Sequence, residues 1–347
     1  MRIKPFPLPV VLALFFVLFS QAGFAKVFKI ATVSPEGSGW MKTMRAAGKD
    51  IEAATEGRVK LKFYPGGVMG NDSAVLRKIR IRQLHGAALT GGSLRQFYPD
   101  VEAYSLPLLF RSFAEVDHVR QQMDSKILKG IADGGFVSFG IAEGGLAYAM
   151  SDTPVTQVEQ LREKKVWAPA NDKAALQAMK AFDISPYPLE LSNVLVSLQT
   201  GMINSVATSP IAAIALQWHT QVKYISDLPL MYFFATLVLE KRAFEGLSDA
   251  DQQVVSKRLG QSFADIDLQN RKDNENAFSA LQQQGLKVVN IPEADQQAWY
   301  QRADTATAKI IDDGLVSSAF FSEMQRLLQE FRAQGTSDPV AANQSRQ

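Results

Sequence analysis

The segment from Ser248 to Gln284 restricts the fold more than any other part of the sequence. It contains no proline, and Gly260 is its only glycine, so it can form one uninterrupted helix. Ser248 and Asp251 have the spacing of a capping box, and Gly285 ends the pattern. At 1.5 Å per residue the helix would be ~55 Å long, which exceeds one lobe of a small protein and predicts a brace across two. Apolar residues recur at helical spacing at Val255, Leu259, Phe263, Ile266, Ala277, Phe278 and Leu281.

Upstream of this segment, predicted strands and helices alternate in two successive halves, each with an α/β order. The order favours parallel sheet with helices on both faces, and the repetition predicts two lobes with a cleft between them. No low-complexity linker separates the halves. The predicted strands upstream are Val27–Val33, Val59–Tyr64, Ala87–Thr90, Val137–Ile141, Ala147–Ser151 and Lys165–Trp167, and Leu286–Ile291 is a further predicted strand after the long helix. The predicted boundaries are 26–145 plus 235–272 for lobe I, 146–234 plus 273–333 for lobe II, and 334–347 for a flexible tail.

The N-terminus has the pattern of an export signal. Arg2 and Lys4 precede an apolar run from Val10 to Phe19, and small residues lead to a cleavage site after Ala25. The apolar run is shorter than the roughly 20 residues that span a bilayer. We therefore expect 1–25 to be removed on export, and the mature protein to be free in the periplasm.

Charge and cysteine content exclude several classes of protein. The chain has 37 Lys and Arg, 35 Asp and Glu, and no cysteine. Two of the basic residues lie in the signal segment, which leaves the mature chain close to neutral, without a field that would attract nucleic acid. The lack of cysteine excludes disulfides, thiolate metal sites and a cysteine nucleophile.

Several segments, in order, resemble the periplasmic solute-binding proteins of TRAP transporters. They are GRVKLKFYPGGVMGND (Gly57–Asp72), LPLLFRSFAEVDHV (Leu106–Val119), the approach Pro154–Trp167, and LQTGMINSVATSP (Leu198–Pro210). The resemblance implies a two-lobed venus-flytrap α/β fold with a long helix crossing both lobes. It also implies a receptor that captures a small-molecule solute and delivers it to the TRAP membrane permease subunits without a cofactor.

The sequence departs from that family where the ligand is usually held. Trp167 stands where the family typically has an arginine that pairs with the ligand carboxylate. A second family arginine falls at about Ala147, beside Tyr148, and Ser209 stands in place of an asparagine. An indole offers one donor and no charge, so Trp167 cannot replace a guanidinium.

Two interpretations of Trp167 follow. In the first, the ring lines the cleft and presents a flat apolar face to a solute that is weakly polar or amphipathic. In the second, the ring fills the core of its lobe. Arg45, Arg77 or Arg95 could also supply the missing cation, and the sequence leaves that open. Without a replacement, a buried carboxylate would have no partner, which costs several kcal/mol.

Further candidate ligand contacts lie on loops and helix starts near the predicted cleft. Each has an alternative structural role: Trp40, Trp218 and Phe234 could be packing residues, and Asn171 and Asp172 could cap a helix. The complete set of candidate ligand-binding residues is Trp167, Tyr148, Ser209, Asn171, Asp172, Trp40, Thr90, Gln217, Trp218 and Phe234.

Three other functions compete with this prediction. A periplasmic carrier of hydrophobic or lipid-like molecules would share the fold, and a conventional organic acid receptor would need a basic side chain at the centre of the cleft. An enzyme is disfavoured, because the three histidines lack HExxH spacing and no GxSxG motif surrounds a serine. We expect neither catalysis nor a bound metal.

Overall fold

The computed structural model describes residues 25–170 and 173–335. Its strands form one sheet in the order β2-β1-β3-β9-β5-β8-β6-β7, with β4 and β10 paired to β9. The strands are β1 (Lys26–Ala31), β2 (Val59–Tyr64), β3 (Gly86–Thr90), β4 (Phe136–Ser138), β5 (Ala142–Ser151), β6 (Val166–Pro169), β7 (Pro186–Leu189), β8 (Ser205–Thr208), β9 (Tyr224–Glu240) and β10 (Lys287–Val289). The predicted export signal lies outside the described residues, apart from Ala25.

Twelve α-helices are found in the described ranges, with short 3₁₀ turns at Pro99–Ser105, Leu191–Asn193 and Trp218–Thr220. The α-helices are α1 (Gly39–Ala54), α2 (Asp72–Arg80), α3 (Gly91–Leu94), α4 (Phe113–Asp133), α5 (Val158–Arg162), α6 (Lys173–Ala181), α7 (Val194–Gln199), α8 (Pro210–Ala215), α9 (Lys241–Glu245), α10 (Asp249–Gln283), α11 (Glu293–Asp312) and α12 (Ser318–Gly335).

Strand β9 joins the two lobes and was missed by the sequence analysis. It has 17 residues. Its C-terminal half pairs with β3 and β4, whereas its N-terminal half pairs with β10. Strand β5 runs antiparallel beside it, with register shifts near Tyr148. Asp227 and Pro229 interrupt the apolar run in this segment, which hides the strand from a pattern based on composition.

Helix α10 crosses both lobes, as predicted. Ser248 caps it by accepting a hydrogen bond from the Asp251 amide at 3.2 Å, and its 35 residues correspond to ~52 Å. Near its start, Val255 and Leu259 pack into the lobe I core with α1. Near its end, Leu281 packs into the lobe II core. One rigid element is therefore anchored in both lobes.

Helix α12 packs against lobe I, although the predicted division placed residues up to 333 in lobe II. Its apolar face, including Phe320 and Met324, belongs to the same core cluster as Val116 and Met123 of α4. Burial of this face against α4 explains the position, because an amphipathic helix must cover its apolar side. The lobe boundaries stay a prediction, and most of the predicted tail, 336–347, lies outside the described residues.

No helix within 25–170 and 173–335 is long and apolar enough to cross a membrane. The alternation of strands and helices forms the predicted two-lobed α/β architecture, with parallel pairing of β1 with β2 and β3, and of β6 with β7 and β8. The carboxyl ends of such strands meet at the crevice in open α/β sheets, which directs attention to residues just after β1, β3 and β6.

Candidate functional site

The lobe I wall of the candidate site lies at the carboxyl ends of β1 and β3. A shallow depression is lined there by Thr32 and Val33 after β1, by Leu89 of β3 and by the loop from Gly67 to Asp72. The loop bends sharply at Gly66, Gly67 and Gly70, all of which have positive φ values that favour glycine. These turns bring the start of α2 to the edge of the sheet.

Asp72 is the ionisable group in this wall. Asn71, its neighbour, caps α2 by accepting from the Ala74 amide at 3.0 Å, so the Asp72 carboxylate is not needed as the cap. The Asp72 carboxylate accepts a hydrogen bond from the Ser93 hydroxyl, and the oxygens of the Ser93 and Thr90 hydroxyls are 3.2 Å apart. Burial raises the pKa of Asp72 above its ordinary value; the Ser93 hydrogen bond opposes this shift, and the charge of Glu190 adds to it.

A hydrogen bond joins the two lobes. The Asn71 Nδ2 donates to Glu190 Oε1 at 2.9 Å, which links the start of α2 to the segment after β7. The Asn71 side chain therefore uses its oxygen to cap a helix of lobe I and its nitrogen to hold a carboxylate of lobe II. This arrangement brings Glu190 near Asp72.

Trp167 is packed within the lobe II core cluster and is only 7% exposed. Its Nε1 donates to the Leu189 carbonyl at 3.0 Å, across the parallel β6–β7 pair. Its ring meets Trp218 edge to face, with the centroids 5.1 Å apart and the planes at 74°. The single indole donor is thus occupied by the protein's own backbone, and the ring contributes packing. A contact between Trp167 and a solute stays a prediction.

Tyr148 lies at the junction of the two lobes. It is half-buried and packs against one core cluster of lobe I and one of lobe II. Its ring contacts Phe278 of α10 at 5.5 Å between centroids. Burial, followed by the charge of Asp227, raises the pKa of Tyr148, so the phenol remains a hydrogen-bond donor at neutral pH. Contact of Tyr148 with a solute stays a prediction.

The structure distributes the other predicted residues among different environments. Trp218 and Phe234 are buried in core clusters, at 2% and 3% exposure, because the first packs under Trp167 and the second fits against Gly91. Trp40 packs edge-on against Phe63. Packing accounts for the positions of these three side chains, and their contact with a solute stays a prediction.

The polar candidates remain near the cleft edge. Thr90 is exposed and belongs to the Asp72 hydrogen-bond network. Ser209 is buried at the N-cap position of α8 without a side-chain capping bond, and Gln217 is exposed with a φ of 61°. Asn171 and Asp172 lie outside the described residues.

The arginines that could have replaced the missing cation have carboxylate partners or lie in the open. Arg45 pairs with Glu36 near the start of α1, with Nε and Oε1 2.8 Å apart. Arg95 pairs with buried Glu102 at 3.2 Å. Arg77 is exposed in the last turn of α2. Sequence reasoning missed Asp72, Ser93 and Glu190 as site residues, since their contacts are long-range.

In the part of the chain that the structure describes, no group of three or more His, Asp or Glu side chains is arranged to hold a metal ion. The site instead has carboxylates, hydroxyls, an amide and aromatic rings. Such groups can bind an organic solute by hydrogen bonds and apolar contact.

Comparison with known proteins gives consistent matches over most of the chain. Residues 30–313 match the family model described as bacterial extracellular solute-binding protein, family 7. The uncharacterized protein YiiZ of Salmonella typhimurium is 25% identical over 61% of this chain and 65% of its own length. The sialic acid-binding periplasmic protein SiaP of Vibrio cholerae is 23% identical over 76% of this chain and 83% of its own.

Solved structures support the fold. DctP7 of Bordetella pertussis, an extracytoplasmic solute receptor binding pyroglutamic acid, superposes with a TM-score of 0.79. The match covers 88% of this chain and 100% of that one, at 17% identity. The two-lobed fold is therefore shared, whereas identity at this level shows nothing about the solute.

Proposed function

The chain belongs to the bacterial extracellular solute-binding proteins of family 7, and from this premise we propose that it is a TRAP-type receptor for a weakly polar solute that is uncharged or cationic in the cleft. The family consists of receptors, so the solute is captured and released rather than transformed. The receptor works in the periplasm and passes its solute to a TRAP membrane permease.

The observation that carries the proposal is the packing of Trp167. The family resemblance places a carboxylate-binding arginine at this position of β6, and here an indole fills it with its only donor bound to the Leu189 carbonyl. A carboxylate entering the closed cleft would lose hydration without gaining a bidentate partner there. The named relatives bind sialic acid and pyroglutamic acid.

Asp72, in the lobe I wall, supports the same conclusion. Its ionised form is disfavoured by burial, and a solute with an N–H or ammonium group would offset that cost. A carboxylate solute would instead add a like charge beside Asp72. Thr90 and Ser93 provide hydroxyls for a polar solute at the same wall.

Closure of the lobes supplies selectivity. The hydrogen bond between Asn71 and Glu190 joins the lobes, which are also connected by β5, β9 and α10. Hinge motion around these elements would expose the site, and closure on a solute would remove it from water, where each polar contact becomes stronger.

The test is a set of matched solutes that share a skeleton but end in a carboxylate, a primary amide or an amine. Thermal shifts of ligand-free protein should identify stabilising amides or amines, and calorimetry should then measure their affinities. The Asp72→Asn variant should lose the preference for the amine over the amide, while the Arg45→Gln variant, altered at a pair near α1, should keep it. Tightest binding of the carboxylates would refute the proposal and favour a conventional organic acid receptor.

A further inference from the structure

Lobe II contains a second cavity that is separate from the cleft. It has a volume of about 60 Å³ and lies between the sheet and helices α6 and α11. One water needs roughly 10–15 Å³ on this scale, so the space suits several heavy atoms, such as a single ring or a short alkyl chain. Neither Asp72 nor Trp167 lines it. The wall residues most relevant to its chemistry are Leu108, Val166, Ala178, Phe182, Ser205 and Trp299.

The wall of this cavity is apolar except at Ser205. Ser205 is 1% exposed, and its Oγ has no hydrogen-bond partner among residues 25–170 and 173–335. A buried hydroxyl without a partner is unfavourable by about 1–3 kcal/mol. Water is a poor substitute, because an ordered buried water needs two to four polar partners and the described wall offers one hydroxyl.

The surrounding backbone and side chains fix the walls in place. Trp299 donates its indole N–H to the Thr156 carbonyl at 2.9 Å, which leaves its ring face for the cavity. Leu108 has a φ of 47°, unusual for a leucine, and its amide donates to the Leu230 carbonyl at 2.7 Å. The cavity is therefore a formed space with defined walls.

We propose that this cavity binds a small, largely apolar molecule with one hydroxyl or carbonyl group, which is oriented by Ser205. The apolar body replaces empty space against the wall, where contacts are otherwise lost. The polar group supplies the partner that Ser205 Oγ lacks. The site does not depend on the solute of the interlobe cleft, and it goes beyond the receptor function proposed above.

Phenol and benzene are matched probes, because they share a ring and differ by one hydroxyl. Ligand-observed NMR titration of the full mature chain should show saturable binding of both, with phenol preferred. Ser205→Ala removes the hydroxyl without filling the cavity, so it should weaken phenol binding about two- to tenfold, the range of one neutral hydrogen bond, and leave benzene unchanged.

A second variant fills the space. Ala178→Leu should abolish binding of both probes, whereas Ala215→Leu, at an exposed position of α8, should leave binding intact. If Ala178→Leu does not fold, the result with Ser205→Ala decides alone. The proposal is overturned if neither probe binds wild type, or if Ser205→Ala leaves the phenol affinity unchanged. Asp72→Asn should not alter phenol binding, which separates failure here from failure of the cleft proposal.

Discussion

Replacing Trp167 tests whether its ring is a structural part of lobe II. In Trp167→Ala, the loss of a 93%-buried ring should cost about 3–5 kcal/mol in the free energy of unfolding. In Trp167→Phe, most of the ring remains, but the Leu189 carbonyl loses its donor, which should cost about 1–3 kcal/mol. For a chain of this size, about 1 kcal/mol lowers the Tm by about 1.5 °C. The expected decreases are therefore about 5–8 °C for alanine and about 2–5 °C for phenylalanine.

The assay is differential scanning calorimetry on protein that has been unfolded, dialysed and refolded. This removes bound solute, which would otherwise raise the Tm through its binding free energy. Val196→Ala, at an exposed position of the neighbouring α7, is the control and should shift the Tm by less than about 1 °C. A Trp167→Ala protein that melts within 1 °C of wild type would refute the packing role and return the ring to the cleft.

The contact with Trp218 adds a sharper measurement. The edge-to-face geometry predicts a coupling of about 0.5–1.5 kcal/mol in a double-mutant cycle of Trp167→Leu and Trp218→Leu. A coupling near zero would mean that the two rings are buried independently.

Three further perturbations test the site and the junction between lobes. Burial raises the folded pKa of Asp72, so its contribution to stability is complete below pH 3.8 and is lost as the pH rises through the folded pKa. In thermal melts, Asp72→Asn should therefore gain stability relative to wild type as the pH increases from 4 to 7. A difference between the two proteins that stays constant with pH would contradict this. Asn71→Ala removes the hydrogen bond to Glu190 and the N-cap of α2. Small-angle scattering should detect a larger mean radius of gyration, and thermal melting should show a decrease of about 1–2 kcal/mol in the free energy of unfolding. An unchanged radius of gyration would exclude a role of this hydrogen bond in holding the lobes together. Gly145 has a φ of 99°, and Gly145→Ala would place a Cβ within 2.6–2.9 Å of the Asn274 side-chain amide. Urea unfolding should show a decrease of more than about 1 kcal/mol in the free energy of unfolding. Wild-type stability would mean that α10 can shift to make room.

The sequence predicted the fold where local pattern and tertiary role agree. Helix α10 has a capping serine, helical spacing of apolar residues and no breaker, and the structure contains it at nearly the predicted bounds. Strand β2 was predicted to the residue. Strand β9 was missed because it pairs with different partners along its length, and Pro229 interrupts its pattern. The position of α12 depends on which lobe offers an apolar groove, which no local pattern records.

The site was less predictable because its contacts join distant positions. Asp72 and Ser93 are 21 residues apart, and Asn71 and Glu190 are 119 apart. The sequence did contain a signal, since Asn71 and Asp72 are adjacent candidates for one N-cap and only one can fill it. Asp72, which does not cap the helix, is then available for another role, and its carboxylate lies in the lobe I wall of the candidate site.

The charges at the lobe junction bear on the proposed choice of solute. Buried Arg120 pairs with Asp124 and Asp267, and half-buried Arg271 pairs with Glu143, so both cations are matched by carboxylates from the protein itself. Displacing one of those carboxylates to bind a solute would break an existing ion pair, which is strongly unfavourable where the pair is buried. A carboxylate solute would thus need a cation from elsewhere, while Asp72 already offers a partner to an ammonium or amide. The proposed function therefore predicts discrimination against acids, and the amine and carboxylate members of one matched set measure it directly.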